Sequence, residues 1–184
     1  MRCFLSVKVD ESLISNVVAV QETLMKSEVN MNFTKPENLH ITLKFIGDVN
    51  ETKVKQLDEG FVKMFQDVKV FTTSFTGVVC FPNMHFLRVI WLGLDKGERE
   101  VRELHEKVDE YLHISGYIRD EDYVPHVTLS RVINCSNVNK LKCIINKMKH
   151  VNIGEFKVKK IIFMNSESSS KGAIYNAINE YVLK

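Results

Sequence analysis

Alternating apolar and polar residues open the chain and predict a first strand. In residues 3–9, small or aliphatic side chains alternate with Phe4, Ser6 and Lys8, and a period of two is typical of a strand. Further strands are predicted at 29–33, 70–81, 86–94, 156–164 and 173–183. The segments 70–81 and 86–94 are separated by a short turn that contains proline, so they are expected to form a hairpin.

Apolar residues at spacings of three and four predict helices between these strands. The first helix follows Asp10 and the last follows Ser136, two side chains that favour the N-cap position. A second helix covers residues 54–65. A third is expected to begin at Asp95, with Glu98 reaching back to complete a capping box.

The order of these elements favours one fold class. Helices and strands interleave along the chain, but many strands are joined by hairpins, which favours the α+β class over a doubly wound parallel sheet. We expect a bilobal architecture in which two mainly antiparallel sheets face a central cleft, with the helices on the outside. Both lobes belong to a single domain that spans residues 1–184.

Two short segments have nearly the same sequence. One reads His-Ile-Thr-Leu from residue 40, and the other reads His-Val-Thr-Leu from residue 126. Because side chains alternate between the faces of a strand, His40 shares a face with Thr42, and His126 shares a face with Thr128. Each lobe is expected to present one such pair to the central cleft.

These four side chains suit acid–base chemistry on a phosphate. The imidazole pKa of about 6.5 lets a histidine take or release a proton near neutral pH. With two histidines around one phosphorus atom, one can deprotonate the nucleophile while the other protonates the leaving oxygen. Threonine hydroxyls can donate to the non-bridging oxygens. We therefore expect no metal and no other cofactor, since the chain carries no HExxH or Walker sequence.

Composition narrows the class of protein. The formal net charge is only +2 and the pI is about 8.3. Domains that bind nucleic acid strongly usually have a pI above about 9, so any contact with nucleic acid should be local. No apolar run is long enough to span a membrane, and a cytoplasmic location is expected. The cysteines form no CxxC pair and are expected to be free thiols: Cys3, Cys80, Cys135 and Cys143.

At the His-x-Thr blocks, 40–47 and 125–131, the chain resembles the 2H phosphoesterase superfamily. Within it, the chain is similar to the RNA 2′,3′-cyclic phosphodiesterases historically called 2′–5′ RNA ligases. The resemblance covers nearly the whole length. It includes Met-Arg-Cys-Phe from residue 1, Val-Val-Cys-Phe-Pro from residue 78, Arg-Val-Ile-Trp from residue 88, and Ser166, Gly172 and Tyr175.

The resemblance implies a metal-independent hydrolase that opens a terminal RNA 2′,3′-cyclic phosphate to a 2′-phosphate. It implies that His40 is the proton donor to the 3′ oxygen and that His126 is the proton acceptor that activates water, with Thr42 and Thr128 binding the phosphate. Ligation of RNA through a 2′–5′ bond would be the reverse-type reaction at the same site. The expected partners are RNA ends, tRNA fragments among them, and a monomer is expected.

Three neighbouring residues are candidate substrate contacts: Lys44, Phe45 and Arg131. Lys44 shares the strand parity of the first His-x-Thr pair, although a solvated lysine at a strand end is an equal alternative. Arg131 has the opposite parity to the second pair, but a bulge at a strand end can redirect it. Phe45 and Trp91 can stack on a base, while packing in the core is the favoured alternative for both.

Two other functions stay open on the sequence. One keeps the chemistry but changes the substrate to a small cyclic phosphate nucleotide, such as one derived from tRNA splicing. The other is a non-catalytic RNA- or nucleotide-binding module of the same fold. Loss of either histidine would favour the binding module, and both His40 and His126 are present.

Overall fold

The computed structural model of the protein describes residues 1–134, 138–169 and 172–184. The strands are β1 (Arg2–Lys8), β2 (Asn30–Phe33), β3 (His40–Asp48), β4 (Phe71–Asn83), β5 (Phe86–Leu94), β6 (His126–Asn134), β7 (Asn152–Val158), β8 (Lys160–Ser169) and β9 (Gly172–Val182). The α-helices are α1 (Glu11–Met25), α2 (Glu51–Phe65), α3 (Glu98–Ile114) and α4 (Val138–Lys147), and a 3₁₀ turn covers Pro36–Asn38.

The strands form one antiparallel sheet in the order β7-β4-β5-β6-β3-β1-β8-β9, with β2 also paired to β6. The α+β class and the antiparallel pairing are thereby confirmed. The two sheets predicted from the sequence are halves of this sheet, joined where β3 meets β6 at Ile41 and Val127. Each half therefore carries one His-x-Thr strand.

One face of the sheet packs on the helices. Apolar side chains from all four helices join Ile41, Leu43, Val127 and Leu129 in a single hydrophobic core. Because neighbouring residues of a strand point to opposite faces, the burial of these four directs the histidine and threonine of each motif to the other face. The fold thus places both His-x-Thr pairs on the face that is not covered by the helices.

The start of α1 is as predicted, and the start of α3 is not. The Asp10 carboxylate caps α1 and accepts a hydrogen bond from the Ser12 N–H at 3.1 Å. In α3 the N-cap is Gly97, with φ of 75°, and a Cβ at this position would approach the carbonyl oxygen of Thr72 to 2.6 Å. The prediction of Asp95 as the cap is therefore wrong, because this turn needs glycine. The predicted cap Ser136 lies outside the described residues.

The C-terminal part differs from the predicted pair of closing strands. The predicted strand 156–164 is two strands, because β7 pairs with β4 while β8 pairs with β1 in the other half of the sheet. The chain passes between the halves at Lys159. The predicted strand ends at Met164, but β8 pairs with β9 as a hairpin as far as Ser169 and Gly172.

The cysteines and the helices bear on two expectations drawn from the composition. Among the described residues, Cys3, Cys80 and Cys143 are free thiols, as expected, while Cys135 lies outside them. No helix in the described ranges has both the length and the apolar character needed to cross a membrane.

Candidate active site

The junction of β3 and β6 brings the two motifs side by side. Ile41 lies opposite Val127 in antiparallel register, and both side chains are buried in the core. The residues on either side of this pair share the opposite face, where each histidine lies across from the threonine of the other motif. The structure thus gathers on one face the four side chains predicted to act on phosphate: His40, Thr42, His126 and Thr128.

Both imidazole rings are anchored through the same nitrogen. His40 Nδ1 lies 2.6 Å from the carbonyl oxygen of Asn38, and His126 Nδ1 lies 2.8 Å from that of Val124. A carbonyl oxygen only accepts hydrogen bonds, so Nδ1 carries the hydrogen in each ring. The proton that can be exchanged is then the one on Nε2, and in His40 this atom lies 3.0 Å from Thr42 Oγ1.

Aromatic side chains flank both histidines. The ring centroid of Phe4 lies 5.2 Å from that of His40, and the Tyr175 ring meets His40 edge-on at 5.4 Å. On β5, the ring centroid of Trp91 lies 5.4 Å from that of His126. These rings restrict the orientation of each imidazole, and the anchored Nδ1 hydrogen bonds restrict it further.

The surroundings of both imidazoles favour their neutral form when the cleft holds no anion. Burial is the main cause that lowers the pKa of each histidine below its ordinary value of 6.5, and the hydrogen bond to a backbone carbonyl opposes it only in part. The charge of His126 also lowers the pKa of His40, and the charge of Arg131 lowers that of His126. A bound phosphate would act in the opposite direction, because an anion favours the protonated ring.

A β-bulge follows each His-x-Thr pair and changes which residues reach the cleft. The register of β3 with β1 shifts at Leu43, and the register of β6 with β5 shifts at Leu129. In each strand this leucine and the residue after it are both buried. The next residues, Phe45 and Arg131, consequently return to the face of the histidines.

The bulge turns Lys44 away from the cleft. Its side chain is only 2% exposed, and Nζ lies 2.6 Å from Asp109 Oδ1 and 2.9 Å from Asp120 Oδ1. Nζ also donates to the Ile118 carbonyl oxygen at 2.9 Å, so all three of its N–H bonds are used. Neither the predicted phosphate contact nor the alternative of a solvated lysine fits this geometry.

Of the other candidate contacts, Phe45 lines the cleft, and Arg131 lies on the same face of the sheet as the histidines. Phe45 is 64% exposed and lines the cleft together with Thr42 and His126, so the favoured expectation that it packs in the core is wrong. Arg131 is exposed and close enough to His126 to lower the pKa of that ring. Trp91 is half-buried beside the same histidine.

Residues 118–124 line a cavity of about 540 Å³ together with Thr42, Phe45 and His126. Tyr123 fixes this segment, because its hydroxyl donates to the Thr42 carbonyl oxygen at 2.9 Å and its ring stacks on His105 with centroids 3.7 Å apart. Arg102 Nη1 donates to the Tyr123 carbonyl oxygen at 2.6 Å. Tyr123 escapes prediction from the sequence, since it stands in a charged loop without periodicity.

One group of side chains in the described part of the chain has the spacing of metal ligands. His105, Asp109 and Asp120 offer ligand atoms within 4.8 Å of one another. The ammonium of Lys44 already bonds to both carboxylates, so the cation in this cluster is the lysine side chain itself. It too escapes prediction from the sequence, although His105 and Asp109 stand one helical turn apart on α3.

Comparisons with known proteins identify the family. Residues 2–183 match the family model described as the AKAP7 2′5′ RNA ligase-like domain. The chain belongs to this family. It is 34% identical over 183 residues to the RNA 2′,3′-cyclic phosphodiesterase of Methanothermobacter thermautotrophicus, covering 100% of this chain and 99% of that protein. It is 33% identical over 181 residues to the enzyme of the same name from Methanocaldococcus jannaschii, covering 98% and 100%.

Solved structures show the same fold. A crystal structure of a Thermus thermophilus protein matches with a TM-score of 0.81 at 23% identity, covering 100% of this chain and 98% of that chain. E. coli LigT in complex with 3′-AMP matches with a TM-score of 0.78 at 19% identity, covering 99% and 97%. The resemblance stated from the His-x-Thr blocks is thereby confirmed, as is the expectation that the chain belongs to a family of RNA 2′,3′-cyclic phosphodiesterases.

Proposed function

We propose that this protein hydrolyses the terminal 2′,3′-cyclic phosphate of RNA to a 2′-phosphate by two-histidine acid–base catalysis, without a metal ion. The observation that carries the proposal is the common face of the two motifs, with each imidazole anchored through Nδ1. This arrangement leaves two Nε2 atoms for proton exchange. The names of the relatives in Methanothermobacter and Methanocaldococcus support the same substrate.

The chemistry requires one base and one acid. Neutral His126 takes a proton from water through Nε2, and the oxygen of that water attacks phosphorus. The bond between phosphorus and the 3′ oxygen breaks, and protonated His40 gives its Nε2 proton to that oxygen. The products are a 2′-phosphate and a 3′-hydroxyl, with one proton moved from His40 to His126. The order of the two roles follows the resemblance to the 2H phosphoesterases.

The threonines stabilise the charge that develops on the phosphate. Thr42 and Thr128 share the face of the histidines, and their hydroxyls can donate to the two non-bridging oxygens. In free enzyme the Thr42 hydroxyl lies 3.0 Å from His40 Nε2. In the proposed complex it exchanges this contact for one with a phosphate oxygen, which frees the His40 proton for the leaving group.

The proposal extends to ligation, assembly and location. If the 5′-hydroxyl of a second RNA replaces water as the nucleophile, the same proton transfers join the two strands through a 2′–5′ bond. We propose a monomer in which each half of the sheet contributes one motif to a single cleft. We also propose a cytoplasmic location, which agrees with free thiols at Cys3, Cys80 and Cys143.

A labelled oligoribonucleotide ending in a 2′,3′-cyclic phosphate tests the function. We expect hydrolysis to persist in excess EDTA, because the proposed base and acid are both imidazoles, and we expect a 2′-phosphate as the product. Chromatography against synthetic 2′- and 3′-phosphate standards identifies the isomer. Activity that is abolished by chelation and restored by a divalent cation would contradict the metal-free mechanism, and a 3′-phosphate product would contradict the breaking of the bond to the 3′ oxygen.

The pH dependence should reveal the lowered pKa values of the two histidines. In free enzyme both pKa values lie below 6.5, and the active form needs one neutral and one protonated ring, so kcat/KM should peak on the acidic side of about 6.5. The optimum of kcat should lie at higher pH, because bound phosphate favours the protonated ring. Each apparent value belongs to the pair. Initial rates between about pH 4 and pH 9 measure both profiles, and a monotonic rise of kcat/KM with pH would exclude the general acid.

A further inference from the structure

The face that carries the histidines continues from β6 onto the β4–β5 hairpin. Trp91 lies opposite Thr128 in the pairing of β5 with β6, and opposite Val79 in the pairing of β5 with β4. One step farther along the hairpin, Phe81 lies opposite Val89. Directly opposed residues share a face of the sheet. Trp91, Val79, Phe81 and Val89 therefore form one surface with the second His-x-Thr motif, which we call the hairpin face.

The hairpin face is unusually apolar for a surface exposed to water. Phe81 is 60% exposed and Val79 is 38% exposed. The alternate residues Val78, Ile90 and Leu92 are buried in the core, so core packing already has its own set of side chains. Phe86 continues the exposed aromatic surface at the tip of the hairpin, where it is 70% exposed.

A positive charge lies where this face meets the cleft. Arg131 is exposed and pairs with Val89 across β5 and β6. Arg131 therefore stands one step beyond Thr128 along β6, beside the hairpin face, and its charge still lowers the pKa of His126. An arginine at this position suits a phosphodiester group that follows the terminal phosphate.

We infer that the hairpin face binds the nucleotides on the 5′ side of the terminal cyclic phosphate, so that the enzyme acts on oligoribonucleotides in preference to mononucleotides. The inference rests on the proposed function. Bases stack on Trp91 and Phe81, and Arg131 contacts the phosphodiester between the last two nucleotides. Exposed aromatic side chains next to a positive charge are the general means by which proteins bind single-stranded RNA.

The spacing along the hairpin face fits this occupant. Trp91 and Phe81 stand on adjacent strands and two residues apart in register, which separates their backbones by about 8 Å. That is the order of one nucleotide step in an extended strand. Stacking on aromatic rings is tolerant of base identity, so the hairpin face should select substrates by length and not by sequence.

The experiment compares an octanucleotide ending in 2′,3′-cyclic phosphate with the mononucleotide 2′,3′-cyclic AMP. For the wild type we expect a higher kcat/KM on the octanucleotide. In Phe81→Ala, the ratio of kcat/KM on the octanucleotide to that on the mononucleotide should fall about ten-fold, in line with the loss of one stacked base. Phe81→Tyr keeps a ring and should restore the ratio. Val62→Ala, which shortens a 48% exposed side chain on α2, is the matched control and should leave the ratio unchanged.

The outcomes separate this inference from the proposed function. Turnover of both substrates with equal ratios in wild type and Phe81→Ala would overturn the hairpin face while the proposed function stands. If neither substrate is hydrolysed, the proposed function fails. The affinity of the fluorescently labelled octanucleotide, compared between the wild type and Phe81→Ala, then tests on its own whether the hairpin face binds RNA. A wild-type dimer in sedimentation that Phe81→Ala dissociates would also overturn the inference, since the face would then be a contact between protein chains.

Discussion

We expect His40→Ala and His126→Ala each to lower kcat on the cyclic-phosphate oligonucleotide by roughly 10²–10⁴, the usual contribution of a positioned acid or base. Each substitution removes an imidazole whose Nδ1 is anchored to a backbone carbonyl and whose Nε2 is proposed to exchange a proton with the substrate. The double variant should lose far less than the product of the two single effects, because the acid and the base act on one transition state. Single-turnover rates with saturating enzyme measure the chemical step in all three variants.

The control for these variants is His150→Ala, which removes an exposed imidazole away from both motifs and should keep the wild-type rate.

The two single variants also differ in their expected pH profiles. Loss of the base in His126→Ala should remove the acidic limb of kcat/KM, and loss of the acid in His40→Ala should remove the basic limb. A wild-type rate in either single variant would contradict the assignment of that histidine to the reaction.

The central pairs of the site were predictable because strand parity is a local property. Within a tripeptide such as His-Ile-Thr, the first and third side chains share a face whatever the rest of the chain does. The apolar residues between and after them then decide which face is buried. The shared cleft was predicted from the occurrence of one such motif in each half of the chain, and neither argument fixes their register. The register is fixed by the pair of Ile41 with Val127, a contact between strands far apart in sequence.

Parity alone gives the wrong face for the positions beyond each motif, because a bulge adds a residue that parity does not count; only for Arg131 did the sequence analysis allow for such a bulge. Counting in twos from His40 puts Lys44 in the cleft and Phe45 in the core, and the bulge at Leu43 reverses both. The same shift at Leu129 brings Arg131 to the cleft face. The cap at Gly97 also escaped prediction because it depends on tertiary structure: its backbone is left-handed, and Gly97 lies so close to Thr72 that a Cβ would not fit.

Lys44 is a structural residue, and its replacement should have the largest effect on stability. We expect Lys44→Met to lower the free energy of unfolding by about 3–5 kcal/mol, because it leaves the buried Asp109 carboxylate without its cation. Asp109 is 7% exposed and Lys44 is 2% exposed, so the carboxylate is little hydrated by bulk water. Urea denaturation at pH 7 measures the change, and Lys160→Met is the matched control. Its ion pair with Glu180 is 48% and 45% exposed and should contribute at most about 1 kcal/mol.

The pH dependence of the stability lost in Lys44→Met tests whether the broken ion pair with Asp109 is the cause. Burial alone would raise the pKa of Asp109, but the bond from Lys44 and the N–H of Asp120 lower it below its ordinary value of 3.8. The stability from this pair is therefore fully present above the unfolded-state pKa of about 3.9 and is lost as the pH falls through the lower folded value. In Lys44→Met the carboxyl can become protonated at higher pH, so the difference from the wild type should shrink as the medium becomes acidic. The double variant Lys44→Met with Asp109→Leu removes both charges and should recover most of the stability. A loss no larger than that of Lys160→Met would contradict this account of the buried pair.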